Sequence, residues 1–307
     1  MEKIGGRFIV NRQRPKISIF GCEIDPLSKD EAVNTIGGWT RESAPCRYIV
    51  TPNVHHLVLL QEQPALRKAY ESADLTLVDG RPVGWALRLM KNPVPEVVPG
   101  SDLVPALFDS GTRDRPLTVF LLGAAPGVAE KAANVIHSRW EHVRVVGVYS
   151  PSISFEQDPA ELERIARQIN EAAPDLLVIG LGCPKQEVWA SQFAPRLKAK
   201  VAICAGATID FIAGHRRRAP VWMQKIGCEW LFRALTEPMR LGPRYLRDGV
   251  EFPMIIARSL FTRVAFEDAG AADRLLGRAI TTPRYPPTYW DAPRSSTRRP
   301  WSFGKLQ

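Results

Sequence analysis

Asp79-Gly80 closes the apolar run Leu75–Val78. A carboxylate at the end of a buried strand, freed by a glycine, suits a general base, although Asp-Gly is also an everyday turn. Thr51-Pro52-Asn53 ends a second apolar run, Arg47–Val50, and Val54 opens a helical pattern. That tripeptide offers a hydroxyl and an amide at a strand-to-helix turn, where backbone N–H groups point outward, or else a helix cap. A third run, Val201–Cys204, leads into a small-residue turn carrying Asp210, with Arg216, Arg217 and Arg218 close behind. A carboxylate beside a glycine turn and several arginines suits a nucleotide sugar, which offers a polar base and a diphosphate.

Three further groups are weaker alone. Leu122-Gly123-Ala124-Ala125 is a strand end and small-residue turn where backbone can approach a phosphate or ribose, or where tight strand–helix packing needs a glycine. It lacks the second glycine spacing and ribose acid of a dinucleotide fingerprint. Gly182-Cys183-Pro184-Lys185-Gln186-Glu187 again ends a strand and opens a helix, with Pro184 suited to the first turn. Asp102 either caps a helix or faces a ligand. Arg233, Arg240 and Arg244 are spaced by seven and four residues and would share one face of a continuous helix, which Pro238 and Pro243 are expected to bend or break. They are a solvated basic face or a phosphate clamp.

The elements that must position these groups alternate. Strands are expected at Ile17–Phe20, Arg47–Val50, Leu75–Val78, Thr118–Leu122, Arg144–Val148, Leu176–Gly180 and Val201–Cys204. Helices are expected at Lys29–Thr40, Val54–Glu71, Val83–Met90, Asp102–Ser110, Val128–Arg139, Pro159–Ala172 and Pro184–Phe193. Strand then helix, repeated, predicts an α/β fold: a Rossmann-like, largely parallel sheet flanked by helices, with ligands at the carboxyl ends of the strands. From about Arg216 the alternation stops, and helices interrupted by Pro238, Pro243 and Pro253 take over. The expected division is an α/β core over residues 1–214, a basic helical appendage over 215–280 and a disordered tail over 281–307, where five prolines stand among Ser, Thr and Arg.

Hydrophobic residues at 45% and charged residues at 24% fit a globular chain with a sizeable core. The formal charge is +9, and Gly214–Arg263 holds ten Lys/Arg against four acids, so that region supplies most of the surplus and should meet phosphates, nucleic acid or an anionic membrane. No window approaches the roughly 18 apolar residues of a membrane span, so a cytoplasmic protein with peripheral membrane contact is expected. The five cysteines (22, 46, 183, 204 and 228) are scattered, which predicts buried reduced thiols. Their spacing suggests no zinc site.

The motifs Thr51-x-Asn53, Asp79-Gly80, Gly100-Ser101-Asp102-Leu103, Gly182-x-Pro184-Lys185-Gln186-Glu187 and the Gly206–Leu231 stretch occur in the order seen in the WecG/TagA/CpsF glycosyltransferases (glycosyltransferase family 26), and the region Ile17–Leu246 resembles that family. Pro99 and Val97 stand where the family commonly has threonine and arginine, and His55 and His56 where an acidic residue is frequent, so the sugar and the role of the two histidines are left open. The resemblance implies Asp79 as the base, Thr51 and Asn53 as positioning groups, and Gln186 and Asp210 at the nucleotide. It also implies Gly123 at the donor, a lesser role for Asp102, and Arg233, Arg240 and Arg244 on the leaving diphosphate. It implies a UDP-sugar donor (N-acetylmannosamine or a related hexose or uronate) and a polyprenyl-diphosphate-linked acceptor in bacterial surface-polysaccharide synthesis. The expected reaction is inverting, with no cofactor and no metal, at the inner face of the plasma membrane. An anionic membrane surface is the expected partner; a homo-oligomer is compatible with the sequence. A nucleic-acid-binding module using the basic C-terminal region is the competing reading. Against it stand the interspersed prolines and the absence of an RNP, KH or zinc-finger pattern.

Overall fold

In a computed structural model of the chain, residues 15–275 are described, with side chains described through Phe261. The chain divides into two compact units, one ending at Ser259 and one beginning at Leu260. The tail over 281–307 lies outside the described residues.

Strands β1 (Ile17–Ile19) and β2 (Cys22–Ile24) form an antiparallel hairpin with Ile19 opposite Cys22. Phe20 and Gly21 turn it at φ 53° and 83°, the two positive values a tight hairpin turn requires. The expected strand therefore stops one residue short of Phe20 and is followed by another too short to show a period.

Next come α1 (Lys29–Trp39), β3 (Arg47–Val50), α2 (Val54–Glu62), α3 (Pro64–Glu71), β4 (Leu75–Thr76), α4 (Arg81–Leu89) and α5 (Gly100–Asp109). They are followed by β5 (Leu117–Gly123), α6 (Val128–Arg139), β6 (Val143–Tyr149), α7 (Pro159–Ala172), β7 (Leu176–Gly180), α8 (Lys185–Phe193), β8 (Val201–Cys204) and α9 (Thr208–Ile212). The helix expected over Val54–Glu71 is two helices. Pro64 has no N–H to continue the ladder and starts α3 in its first turn.

Strands β3 to β8 make one six-stranded sheet in the order β4-β3-β8-β7-β5-β6, every pair parallel. The central strands are apolar on both faces: Val119–Leu122, Leu176–Ile179 and Val201–Cys204 are all buried. Two covered faces explain continuous apolar runs without alternation. The core on one side joins the sheet to α1, α5, α6 and α9 through Ile36, Leu103, Phe108, Ala132, Ile136 and Ile209.

Beyond the sheet lie α10 (Val221–Lys225), α11 (Glu229–Thr236) and α12 (Pro238–Leu275). Gly227, at φ 72°, separates the first two, so the stretch holding Trp222 and Trp230 is not one amphipathic helix. The proline expectation is corrected in the other direction. Pro238 begins α12, and Pro243 and Pro253 lie inside it without ending it. Both internal prolines are exposed, and on that side the carbonyls they free can turn to water as the helix bends. Phe252, Ile255 and Leu241 are buried, and Phe252 meets Phe20 of the hairpin turn at 5.8 Å between ring centroids.

Candidate active site

The carboxyl ends of β3, β4, β7 and β8, with the turn after β5, open into one cleft of about 1000 Å³ whose far wall is α10, α11 and the first turns of α12. Thr51, Asn53, Asp79, Asp102, Gln186, Asp210, Arg233, Arg240 and Arg244 all line it. Gly123 does not. Its φ is 117°, and a Cβ there would stand 2.4 Å from the Gly180 carbonyl oxygen. The glycine is needed for β5 and β7 to end side by side, and the neighbouring Ala124 and Ala125 reach the cleft instead.

Asp79 is half-buried on the cleft floor, its N–H bonded to the Pro52 carbonyl at 2.9 Å. The Thr51-Pro52-Asn53 turn thus carries it. Desolvation pushes its carboxyl from the ordinary 3.8 to about 6; His56, Arg233 and Arg218 pull down against that burial, and Glu229 adds to it. A carboxyl with that affinity is ionised at neutral pH yet still takes a proton readily, as a general base must.

Thr51 and Asn53 serve the fold at the same time. The Thr51 hydroxyl donates to the Cys204 carbonyl at 3.2 Å, tying the end of β3 to β8. Asn53 Oδ1 caps α2, accepting from the N–H groups of His55 at 3.0 Å and His56 at 3.5 Å. Gln186 is 2% exposed. Its amide donates to Glu187 Oε1 at 2.7 Å, and its Oε1 accepts from the Gly206 N–H at 3.3 Å. Its side chain therefore holds the β8 turn that leads to Asp210.

Ion pairs join the sheet to the far wall. Arg216 Nε lies 3.3 Å from Asp210, and its Nη1 bonds both oxygens of Glu237 at 2.8 and 2.7 Å. Arg218 pairs with Asp102 and stands 3.6 Å from Glu229. Arg233 lies over the Phe211 ring, 5.8 Å from its centroid. Arg240 is bound to Glu237 at 2.6 Å and is half exposed. Arg244 is 3.6 Å from Asp248, and its buried Nε has no hydrogen-bond partner. On the described residues, arginines thus surround the outer cleft while Asp79 holds the floor.

The sequence marks Arg216–Arg218 only as a basic run beside Asp210; the individual partners, Asp210 and Glu237 for Arg216 and Asp102 and Glu229 for Arg218, come from the fold. It has no signal for the pairing of His56 with Glu187. His56, 5% exposed, touches Asn53 Oδ1 with Nδ1 at 2.8 Å and Glu187 Oε1 with Nε2 at 3.1 Å. Glu187 is fully buried; burial alone would raise its pKa, but the His56 charge and hydrogen bonds from His56 and Gln186 hold it below the ordinary carboxylate range. His55 reaches the other way, to Asp248 of α12. All five cysteines are free, Cys22, Cys46 and Cys204 buried and the other two half-buried.

A parallel α/β sheet whose strand ends present a proton acceptor opposite a rank of guanidinium groups has the layout of an enzyme that transfers a group between polar, phosphate-bearing substrates. Residues 17–265 match the glycosyl transferase WecG/TagA/CpsF family, and the chain belongs to that family. It is a glycosyltransferase. Among its relatives is an N-acetylglucosaminyldiphosphoundecaprenol N-acetyl-beta-D-mannosaminyltransferase of Staphylococcus aureus (strain MRSA252), 28% identical over 232 residues, which are 74% of this chain and 87% of the relative. The enzyme of the same description from strain NCTC 8325 / PS 47 is 27% identical over the same shares.

Proposed function

We propose that the chain moves N-acetylmannosamine, or a related hexose or uronate, from a UDP-sugar to a saccharide carried on a polyprenyl diphosphate, with inversion at the anomeric carbon. The carrying observation is Asp79, a carboxyl with a pKa of about 6 on the floor of an arginine-walled cleft. The activity for which the relatives are named supports this choice of sugar and of a lipid-linked acceptor.

Asp79 takes the proton of the acceptor hydroxyl as that oxygen attacks the anomeric carbon and the carbon–oxygen bond to UDP breaks. Asn53 and Thr51, fixed by their cap and strand tie, set the floor against which the sugar lies. Gln186 and Asp210 belong to the nucleotide end, Gln186 acting through the Gly206 turn. Arg233, Arg240 and Arg244 neutralise the leaving diphosphate, a task that guanidinium forks perform without a divalent ion. Asp102, held by Arg218, joins the two walls.

The same wall supports a peripheral place on an anionic bilayer. No helix among the described residues is long and apolar enough to cross a membrane. Trp222, Leu235, Met239, Leu246 and Val250 are nevertheless exposed on α10, α11 and α12, among arginines. Apolar bulk interleaved with Arg suits a helical surface lying in the headgroup region, where a polyprenyl acceptor resides.

The deciding experiment is Asp79→Asn assayed with UDP-N-acetylmannosamine and a short-chain lipid-linked acceptor, alongside UDP binding. Retained binding with lost transfer is expected; undiminished turnover would remove the assignment.

A further inference from the structure

Asp79 follows β4 and the Thr51-x-Asn53 turn follows β3, whereas Ala124 and Ala125 follow β5 and Gln186 lies in the first turn of α8 after β7. The strand order puts the base and the nucleotide end three strand spacings apart, about 14 Å. In an inverting transfer the attacking hydroxyl and the leaving group stand on opposite faces of the sugar. With the donor's diphosphate toward β7, the acceptor must reach Asp79 from the β4 edge. That step rests on the donor and base assignments proposed above.

The cleft continues past that edge, where its walls are α4, the segment 93–99 and α10. Arg81, Trp85 and Arg88 all line it. Spaced by four and three residues, they form one stripe along α4 that runs outward from Asp79 over about 10 Å. The walls of this arm are fixed to one another. Arg81 Nε donates to the Gln224 carbonyl at 2.9 Å, tying α4 to α10. Trp85 lies so close to the turn between α10 and α11 that a Cβ on Gly227 would stand 2.5 Å from its ring. Gly84 is pressed against Val97 in the same way, at 2.8 Å. Held by these contacts, Trp85 is still 51% exposed.

The charges of the arm are unbalanced. Asp102 and Glu229 face Arg218, and Glu96 accepts from the Lys29 N–H at 2.8 Å. Arg88 and Lys225 line the arm from opposite walls and enter no ion pair among the described residues. Apolar surface accompanies them. Leu89, one turn beyond Trp85, is exposed, as are Val221, Trp222 and Ile226 of α10. Guanidinium and ammonium groups select phosphate oxygens, while an exposed indole and aliphatic side chains gain by covering hydrocarbon. One ligand that offers both is a prenyl diphosphate.

We propose that α4, the segment 93–99 and α10 form the acceptor subsite, in which Arg81, Arg88 and Lys225 hold the acceptor's diphosphate and Trp85 receives the first isoprene units of its chain. The saccharide then lies between this diphosphate and Asp79, at the inner end of the stripe. Arg233, Arg240 and Arg244 are left to the donor, so the two diphosphates are bound by separate sets of cations. The exposed apolar residues of α10 continue the path of the chain toward the bilayer.

The test is titration calorimetry of the full chain with farnesyl diphosphate at saturating UDP, which keeps the probe off the donor site. Farnesyl diphosphate should bind beside UDP, and more tightly than inorganic diphosphate or farnesol. Arg88→Gln combined with Lys225→Gln should weaken it by about tenfold or more, with UDP affinity unchanged. Trp85→Ala should weaken farnesyl diphosphate and not inorganic diphosphate, and Trp85→Phe should restore part of the loss; thermal melting checks that both variants fold. In turnover the double variant should raise KM for the acceptor and not for the donor. Failure of farnesyl diphosphate to bind beside UDP, or equal affinity in the double variant, would overturn the proposal and leave the donor and base assignments standing. A double variant that loses only its binding to phosphatidylglycerol vesicles would also overturn it, because its cations would then serve the bilayer and not the acceptor. The expected binding together with undiminished turnover in Asp79→Asn would support the subsite and strike only the base.

Discussion

His55 Nδ1 lies 3.0 Å from Asp248 Oδ1, joining the first turn of α2 to the middle of α12. Asp248 is 4% exposed, so this pair and the nearby Arg244 satisfy a charge that water does not reach. Beside it, Arg247 pairs with Glu62 at the other end of α2. The far wall of the cleft is thereby latched to the turn that carries Thr51 and Asn53.

Removing the His55 end of this latch should be costly. His55→Ala leaves a buried carboxylate with only Arg244 at 3.6 Å, and orphaned buried polar or charged groups cost about 1–3 kcal/mol or more. Asp248→Asn, which keeps the shape and removes the charge, should cost less. Chemical denaturation of both variants compares them. Equal stability to wild type in His55→Ala would show that the contact contributes nothing.

The latch also gives stability a pH dependence. Burial, the largest influence, lowers the His55 pKa; Asp248 raises it in part, and Arg244 and His56 lower it further. A depressed folded-state value means the unfolded chain binds the proton more tightly. The stabilising contribution is then complete above the ordinary histidine value of about 6.5 and is lost as pH falls through the folded value. Melting temperature should therefore fall on acidification below about pH 6.5, and the fall should be shallower in His55→Asn.

Asp79 predicts a separate acid limb in activity. A base must be ionised to act, so kcat/KM should rise with pH through about 6 and level off above it. Asp79→Asn should lose about 10²–10⁴-fold in kcat while UDP affinity stays within about twofold. Arg218→Gln removes one of the charges that pull the Asp79 pKa down, so the limb should move to higher pH. A limb unmoved in Arg218→Gln would show that Arg218 acts on Asp102 and Glu229 alone.

Much of this framework could be read from the chain because buried parallel strands leave an unbroken apolar signature. Arg47–Val50, Leu176–Gly180 and Val201–Cys204 begin and end where the runs do. Helices α6 and α7 match their expected bounds, the second fixed by Asp158 as cap and Pro159 in the first turn. Thr51 directly after β3 and Asp79 three residues after β4 line the cleft, and the apolar runs before them mark that placement in the sequence. What was not legible depends on distance along the chain. His56 meets Glu187 across 131 residues, Arg218 meets Asp102 across 116, and His55 meets Asp248 across 193. Periodicity carries no information about such pairs. Gly123 is a different case: a glycine at a strand end suggests a ligand contact, while the crowding around it comes from Gly180 of the neighbouring strand, which chain order does not show.

The arginines should not contribute equally. Arg240 is 51% exposed and already bound to Glu237, so a diphosphate would have to compete with that carboxylate in screened surroundings. Arg244 is 29% exposed and lines the cleft; a guanidinium in that less screened position gains more when negative charge develops on the leaving group. Arg244→Ala should therefore cost about 10²–10³-fold in kcat. Arg240→Ala should mainly raise KM for the donor, by about tenfold or less, an effect that diminishes with added salt. Steady-state kinetics with the donor varied at two ionic strengths separates the two. Equal losses in both variants, with equal salt dependence, would mean that the wall acts as a diffuse positive field and not through Arg244 in particular.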